Sequence, residues 1–478
     1  MNMKQLSGMV AGVAIGFALT AGAWTQEVSV WKGETTVVRW MDACTLGTNA
    51  VSGVSLRFGT LKDVKFLEDP RGIVYRTAAD RVAWDIDEVG PHILEIAAAP
   101  EVKSGVYHFG DLVLTVVDCI LPPSKDWKYY LDIWQHPWAV SRWHGVAPFS
   151  AEHYAAMRPL WEMLAGAGAK VITTTILDLP WDRQCYDGYY TMIRHERRAD
   201  GRWAFDYSLF DEYVMFAKSC GLGPDIACYT MCPWRRELKL DDGEWGQFLV
   251  DFKKHLVAKG WFDNTYIAMD ERDPDEVKRL ADFIRAHAPG MRISMAGKKV
   301  PTAFSHIGIE NYSQYIKYSD GSHIAEAKRR HAEGKITTFY VCTGPVHPNN
   351  QLRSPLVENF WIGAYPAFSG MDGFLRWSWN SWPRDPLTDA SFGDWAAGET
   401  FLVYPDGSPS MRFLELRNGI VAAEKVRILR EAGALDQPKY DELVRRYDFV
   451  DAQSNRVDFV KLKAATLELV NGAVRGCK

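Results

Sequence analysis

Asn264-Thr-Tyr-Ile-Ala-Met-Asp270-Glu271-Arg272-Asp273-Pro274 is an apolar run that ends in two adjacent carboxylates just before a proline that opens a helix. Asp273-Pro274 already fits the capping position and first turn of that helix, so Asp270 and Glu271 stand one step too early to serve as caps. Neighbouring acids suit general acid–base work. Like charges this close push the two pKa values apart, leaving one group to donate a proton and the other to stay ionised. Adjacent strand residues point to opposite faces, so the pair can serve one substrate only where the strand ends or bends at Asp270.

Other polar and aromatic residues close similar apolar runs. Asp132, Trp134, Gln135 and His136 lie in or after Tyr129-Tyr-Leu-Asp-Ile-Trp134, and Asp178 and Trp181 follow Lys170–Leu177. Glu310, Asn311 and Tyr312 end or follow His306-Ile-Gly-Ile-Glu310, while Gly373-Phe-Leu-Arg-Trp-Ser-Trp379 brings Arg376, Trp377, Trp379 and Asn380. Trp377 and Trp379, two apart on a strand, are expected to share a face, with Arg376 on the other. Taken one at a time these are ordinary core residues; together they describe a cleft of acids, amides and flat rings. The histidines lack metal-ligand spacing and Cys228 and Cys232 lack a matching second pair, so neither a metal nor another cofactor is expected. Such a cleft suits glycosidic bond hydrolysis, where a carboxylic acid protonates the leaving oxygen and another group stabilises a cation-like ring carbon.

These residues need a frame that gathers strand ends. From Lys128 the chain repeats strand, loop, helix: strands near 129–134, 170–177, 225–231, 265–270, 292–295, 306–310, 335–341 and 373–379. Helices are expected near 151–166, 208–220, 244–259, 274–287, 321–333 and 354–368, with a charged hairpin around 192–207 and the fifth crossover unassigned. Eight strands so separated predict a closed parallel (β/α)8 barrel, an α/β fold whose active site lies at the C-terminal ends of its strands. Gly166-Ala-Gly168 follows a helix and precedes a strand, the reverse of a nucleotide-binding turn, and reads as a helix stop.

Residues 24–122 alternate polar and apolar, as in Glu34–Trp40, Ala83–Glu88 and Asp111–Asp118, and predict a β-sandwich. Pro122-Pro123-Ser124 marks a linker; the barrel spans 125–395, and 396–478 gives a short strand at Thr400–Tyr404 and then helices near 408–431, 438–452 and 456–470 packed on it. Residues 1–23 have a lysine, an apolar stretch over Met9–Thr20 and an Ala21-Gly22-Ala23 cleavage signal, the pattern of a secretory signal peptide too short to be a stable membrane anchor. Export to the periplasm or extracellular space is expected, where the eight cysteines could pair. With 55 Lys and Arg against 60 Asp and Glu there is no basic excess, and no nucleic-acid partner is expected.

Leu131-Asp-Ile-Trp-Gln-His-Pro-Trp138, Lys259-Gly-Trp-Phe262, Ile267-Ala-Met-Asp-Glu-Arg272, Thr337-Thr-Phe-Tyr340 and Asp372-Gly-Phe-Leu-Arg-Trp-Ser-Trp-Asn-Ser-Trp382 resemble the catalytic domain of glycoside hydrolase family 123, over roughly residues 125 to 430. The resemblance implies a β-sandwich followed by a barrel, and a retaining exo-β-N-acetylgalactosaminidase acting on a glycan or glycolipid substrate. It also implies that the family's adjacent Asp-Glu pair falls on Asp270 and Glu271, the pair singled out above by position. In that scheme the sugar's own 2-acetamido oxygen attacks the anomeric carbon, Asp270 orients the acetamide, and Glu271 is acid and then base. Asp132, Trp134, Tyr312, Arg376, Trp377, Trp379 and Asn380 are the candidates for the sugar site. The alternatives are another β-hexosamine preference, a conventional mechanism with Glu310 as nucleophile, and a glycan-binding protein without activity.

Overall fold

The computed structural model describes residues 25–41, 44–67, 74–84, 90–235, 240–299, 301–319 and 321–472. The leader and Cys477 lie outside the described residues, as does most of the segment Ala83–Glu88. Alternating sequence in the first part gives seven strands: β1 (Gln26–Lys32), β2 (Thr35–Arg39), β3 (Val54–Leu67), β4 (Tyr75–Ala83), β5 (His92–Ala98), β6 (Gly105–Phe109) and β7 (Leu112–Ile120). They form two sheets, β1-β7-β6 and β2-β5-β3-β4, which bury one shared core of Val30, Leu94, Ile96, Leu112, Leu114 and Val116. Ala83, where that segment begins, is the last residue of β4.

The barrel strands are β8 (Tyr130–Ile133), β9 (Val171–Thr175), β12 (Asp225–Tyr229), β13 (Thr265–Asp270), β14 (Arg292–Gly297), β15 (Asn311–Tyr315), β16 (Ile336–Tyr340) and β17 (Gly373–Arg376). The charged insertion forms the antiparallel hairpin β10 (Arg194–Arg197) and β11 (Trp203–Asp206). All eight barrel strands pair in parallel in the order β8-β17-β16-β15-β14-β13-β12-β9. The ring closes between β8 and β9 with little ladder: one bridge joins Leu131 and Ala169. The buried Gln135 amide supplies further links, its Nε2 donating to Val171 O (3.2 Å) and its Oε1 accepting from Thr173 N (2.9 Å). A side chain here stands in for backbone pairing, which satisfies buried strand groups at the seam.

Two expectations are corrected. The sixth strand is Asn311–Tyr315, not His306–Glu310. Ile307 and Ile309 are buried, and Gly308 (φ +73°) turns the chain, so the apolar residues pack as a loop. Asn311-Tyr-Ser-Gln-Tyr315 is a strand despite its polarity, because Asn311 and Ser313 face a polar barrel interior. Thr400–Tyr404 contributes only isolated bridges, Asn380 to Phe401 and Val403 to Pro409. The fifth crossover holds a 3-10 turn at Pro301–Phe304 rather than an α-helix.

The long helix Met411–Glu431 fastens the parts together. It crosses the barrel helix Leu356–Ala364 at paired glycines: a Cβ on Gly419 would lie 2.2 Å from Phe360 O, and one on Gly363 2.4 Å from Leu416 O. Against the N-terminal sheets the same helix makes two buried ion pairs, Arg412–Asp80 (3.1 Å) and Lys425–Glu34 (2.6 Å). Removing one partner of such a pair strands the other charge and costs about 3–5 kcal/mol, which ties the sheets to the barrel. No helix among the described residues is long and apolar enough to cross a membrane.

Candidate active site

Parallel register sets which side chains enter the barrel. Tyr266, Ala268 and Asp270 of β13 lie level with Ala227 and Tyr229 of β12 and with Ser294 and Ala296 of β14. Near the N-terminal end, Tyr130 and Tyr266 donate to Asp225 Oδ2 at 2.6 and 3.3 Å, and Asn311 Nδ2 donates to Tyr130 Oη. Above them stands Asp132, and above that a cluster in which the Trp134 ring lies 4.9 Å from Trp181 and 4.6 Å from Tyr229. Asp132 is buried and its Oδ1 has no hydrogen-bond partner among the described residues. Burial pushes its carboxyl up to about 7, with Asp225 adding to the rise and the Trp134 indole opposing it.

The Asp132 shift carries a stability signature. A carboxyl raised in the folded state binds its proton more tightly there than in the unfolded chain, so it costs stability as pH rises from about 4 through about 7. Asp132→Asn is expected to raise the melting temperature at about pH 8 by more than it does at about pH 5. Equal shifts at the two pH values would refute the buried, proton-holding carboxyl.

Asp270 ends β13, and Glu271 takes a left-handed backbone (φ +49°) while its N–H still donates to Ala296 O at 2.8 Å. A non-glycine residue adopts this conformation rarely and at some cost, which is characteristic of functional turns. The reversal aims both neighbouring carboxylates at the barrel mouth, as the sequence pattern required. Trp234 Nε1 donates to Asp270 Oδ2 at 2.9 Å, and the Arg272 guanidinium lies 4.8 Å from the Trp234 ring centroid while donating to Cys232 O. On the other side the Tyr340 hydroxyl donates to Glu271 Oε1 and Lys298 Nζ reaches Oε2, both at 2.7 Å. Tyr340 in turn stacks on Tyr315, 4.9 Å away and nearly parallel. Burial and the Glu271 charge push the Asp270 carboxyl up to about 7, against the pull of Trp234, Arg272 and Lys298.

The other candidates divide. Trp134 lines the aromatic cluster, and Trp377, half-buried at the rim, is held by an indole bond to Glu399 Oε1 (3.1 Å) with Trp395 beside it at 5.0 Å. Arg376 faces outward and is fully buried, donating to Glu399 Oε1 (2.8 Å) and Val341 O (3.1 Å). Trp379 does not share a face with Trp377: β17 stops at Arg376, and Trp379 packs against Phe413 in the core. Asn380 clips the His136 backbone, accepting from its N–H (2.8 Å) and donating to its carbonyl (2.9 Å). Tyr312 lies on the outer face of β15 beside Phe304, its hydroxyl donating to Lys299 O. Glu310 precedes β15, and its Oε2 accepts from Ile293 N at the start of β14, the far end of the barrel from Asp270. Asp178 is exposed and caps a loop by accepting from Thr191 N.

Trp234, Lys298, Tyr315 and Tyr340 were not singled out as site residues from sequence. Tyr340 closes one of the strands quoted above and was within reach of a strand-end rule; Trp234 and Lys298 sit in loops with no motif to flag them. A cavity of about 780 Å³ opens between Pro233 and the start of helix Pro274–His287, lined by Asp273, Glu276, Arg279 and Lys299, and is a side cleft rather than the barrel mouth. Among the described residues no group of His, Cys, Asp and Glu is arranged to hold a metal ion.

Residues 134–429 match the family model of the glycoside hydrolase 123 catalytic domain. The solved structure of a family 123 glycoside hydrolase from Clostridium perfringens, described for glycolipid glycan hydrolysis, superposes with a TM-score of 0.78 at 21% identity, covering 93% of this chain and 95% of that one. The CBM22-1–GH10 modules of a Clostridium thermocellum endo-1,4-β-D-xylanase reach a TM-score of only 0.37 at 8% identity, over 81% and 84% of the two chains. No curated protein matches the chain.

Proposed function

Because the chain belongs to glycoside hydrolase family 123, we propose that it removes terminal β-linked N-acetylgalactosamine from glycolipid-type glycans, with retention and with help from the substrate's acetamido group. The observation that carries this reading is the turn at Glu271, which sets two adjacent carboxylates at one barrel mouth. A conventional retaining site needs two carboxyl groups about 5–5.5 Å apart across the sugar ring, whereas neighbours on one strand end suit a substrate that brings its own nucleophile. Glu310, the alternative nucleophile, sits at the other end of the barrel. The C. perfringens relative's action on glycolipid glycans supports the substrate class.

In this reading the acetamide N–H donates to Asp270, which Trp234 holds in place. The acetamido oxygen, already tethered to the sugar, attacks the anomeric carbon as Glu271 protonates the leaving oxygen, giving an oxazolinium-like intermediate. Ionised Asp270 offsets the positive charge that develops on the acetamide. Glu271 then takes a proton from water, which opens the intermediate with overall retention. Tyr340 keeps one Glu271 oxygen occupied and so fixes which oxygen faces the substrate. The leader sequence supports an exported enzyme.

The purified mature protein should release the chromophore from aryl β-N-acetylgalactosaminide and not from the matched aryl β-galactoside. Cleavage of the plain galactoside at a comparable rate would sink substrate assistance. Faster release from the N-acetylglucosaminide would move the sugar preference while keeping the mechanism.

A further inference from the structure

Glu271 has both oxygens occupied, Oε1 by the Tyr340 hydroxyl and Oε2 by Lys298 Nζ. A general acid needs one oxygen to carry a proton and point it at the leaving group. Tyr340 is buried and braced by Tyr315, whereas the Lys298 side chain is about half exposed, at 52%. The oxygen that must meet the substrate is therefore the one Lys298 holds. The loop that carries Lys298 is itself anchored, since the Tyr312 hydroxyl donates to the carbonyl of Lys299. Lys299 points elsewhere, 3.5 Å from Asp273.

We propose that Lys298 is a displaceable counter-ion that occupies the place of the leaving glycosidic oxygen, and that an incoming glycoside must push it aside before Glu271 can act as an acid. This rests on the acid role of Glu271 proposed above. With Lys298 in place, burial and the neighbouring carboxylate favour a proton on Asp270, whose carboxyl is raised to about 7, the reverse of what catalysis requires. A neutral substrate removes the cation from Glu271 and presents an acetamide N–H to Asp270, and each change favours moving that one proton from Asp270 to Glu271. No other reactant is needed, because the proton lost by one carboxyl is the one gained by the other. Lys298 is thus a positioning residue that keeps Glu271 from standing ready as an acid toward water.

Other groups around Glu271 do not duplicate the effect. Arg272 directs its guanidinium to Cys232 O and the Trp234 ring, Lys317 lies over the Tyr318 ring, and Tyr318 stands near Lys298. Tyr312, Tyr340 and Cys342 are all held protonated by burial.

The test is the pH dependence of aryl β-N-acetylgalactosaminide cleavage in the full mature enzyme. The alkaline limb of kcat/KM reports the free enzyme and that of kcat the complex. In the wild type the kcat/KM limb should lie at lower pH than the kcat limb. In Lys298→Met it should rise by about one unit or more, toward the kcat limb, because a neighbouring cation no longer favours the carboxylate. Lys298→Arg, which keeps the charge, should restore the separation. A Lys298→Met enzyme that folds normally, shown by an unchanged melting temperature, yet keeps the wild-type limb would overturn the proposal. Glu271→Gln separates the two readings: if that variant retains the alkaline limb, the acid assignment itself fails, whereas loss of the limb in Glu271→Gln with none of the expected change in Lys298→Met rejects only the counter-ion.

Discussion

Glu271→Gln is expected to lower kcat on an aryl β-N-acetylgalactosaminide by about a thousandfold, within the range of about 10²–10⁴ that a positioned general acid–base contributes. Glutamine keeps the size of the side chain and an oxygen to accept the Tyr340 hydroxyl, so the local packing should survive. What it removes is the transferable proton. The loss in kcat/KM should therefore depend on the leaving group, small for a dinitrophenolate, which departs without protonation, and large for a sugar alcohol, which does not, while kcat falls for both because the base that takes the proton from water is gone. Ligand affinity should change little, since the defect lies in the transition state. Turnover within about threefold of wild type on a poor leaving group would remove Glu271 from the acid role.

Asp270→Asn is expected to cost about 10²–10³ in kcat, since an amide cannot offset the positive charge that grows on the acetamido group. It should also stabilise the protein above neutral pH. Burial and the neighbouring Glu271 raise the Asp270 carboxyl to about 7. The folded protein therefore holds a proton that the unfolded chain has already lost above about pH 4, and folding stability falls as pH rises through the interval up to about 7. Asparagine carries no such penalty, so the variant should melt higher than wild type at about pH 8, with the gap shrinking toward about pH 4. Opposite signs in activity and stability are the mark of a carboxylate kept for function at the expense of the fold. A variant that is less active and equally less stable at both pH values would point to a packing role.

Lys298 and Glu271 form one ion pair, yet they are expected to behave differently on mutation. Loss of the acid removes chemistry; loss of the cation changes when the acid is armed.

Much of the frame was legible from local pattern. Apolar runs of strand length separated by amphipathic helices with caps, such as Ser150 and Asp241 accepting from the backbone three residues on, specify strand–helix units wherever they occur. Eight such strands close into a barrel even though the fifth crossover holds only a 3-10 turn, and a barrel puts the end of β13 at the mouth, so Asp270 and Glu271 stood out as candidates in the sequence. His306–Glu310 misled because its two isoleucines look like a strand, while the real β15 has polar residues on the face it turns into the barrel.

What the chain could not say by itself was which way side chains point. Barrel strands are buried on both faces, so their sequences lack the alternation that separates inside from outside. Arg376, Tyr312, Trp379 and Asn380 all look like site residues in one dimension; the register of β15 and the end of β17 send them into outer packing and a loop clip. Trp234, Lys298 and Tyr340 reach the carboxylates from two different loops and a strand end, brought together only by closure of the ring. The local order of residues determined the barrel and the position of its two acids. The tertiary structure decided their shared direction, through one left-handed residue, and the partners that set their charge, because both depend on distances between segments far apart in the chain.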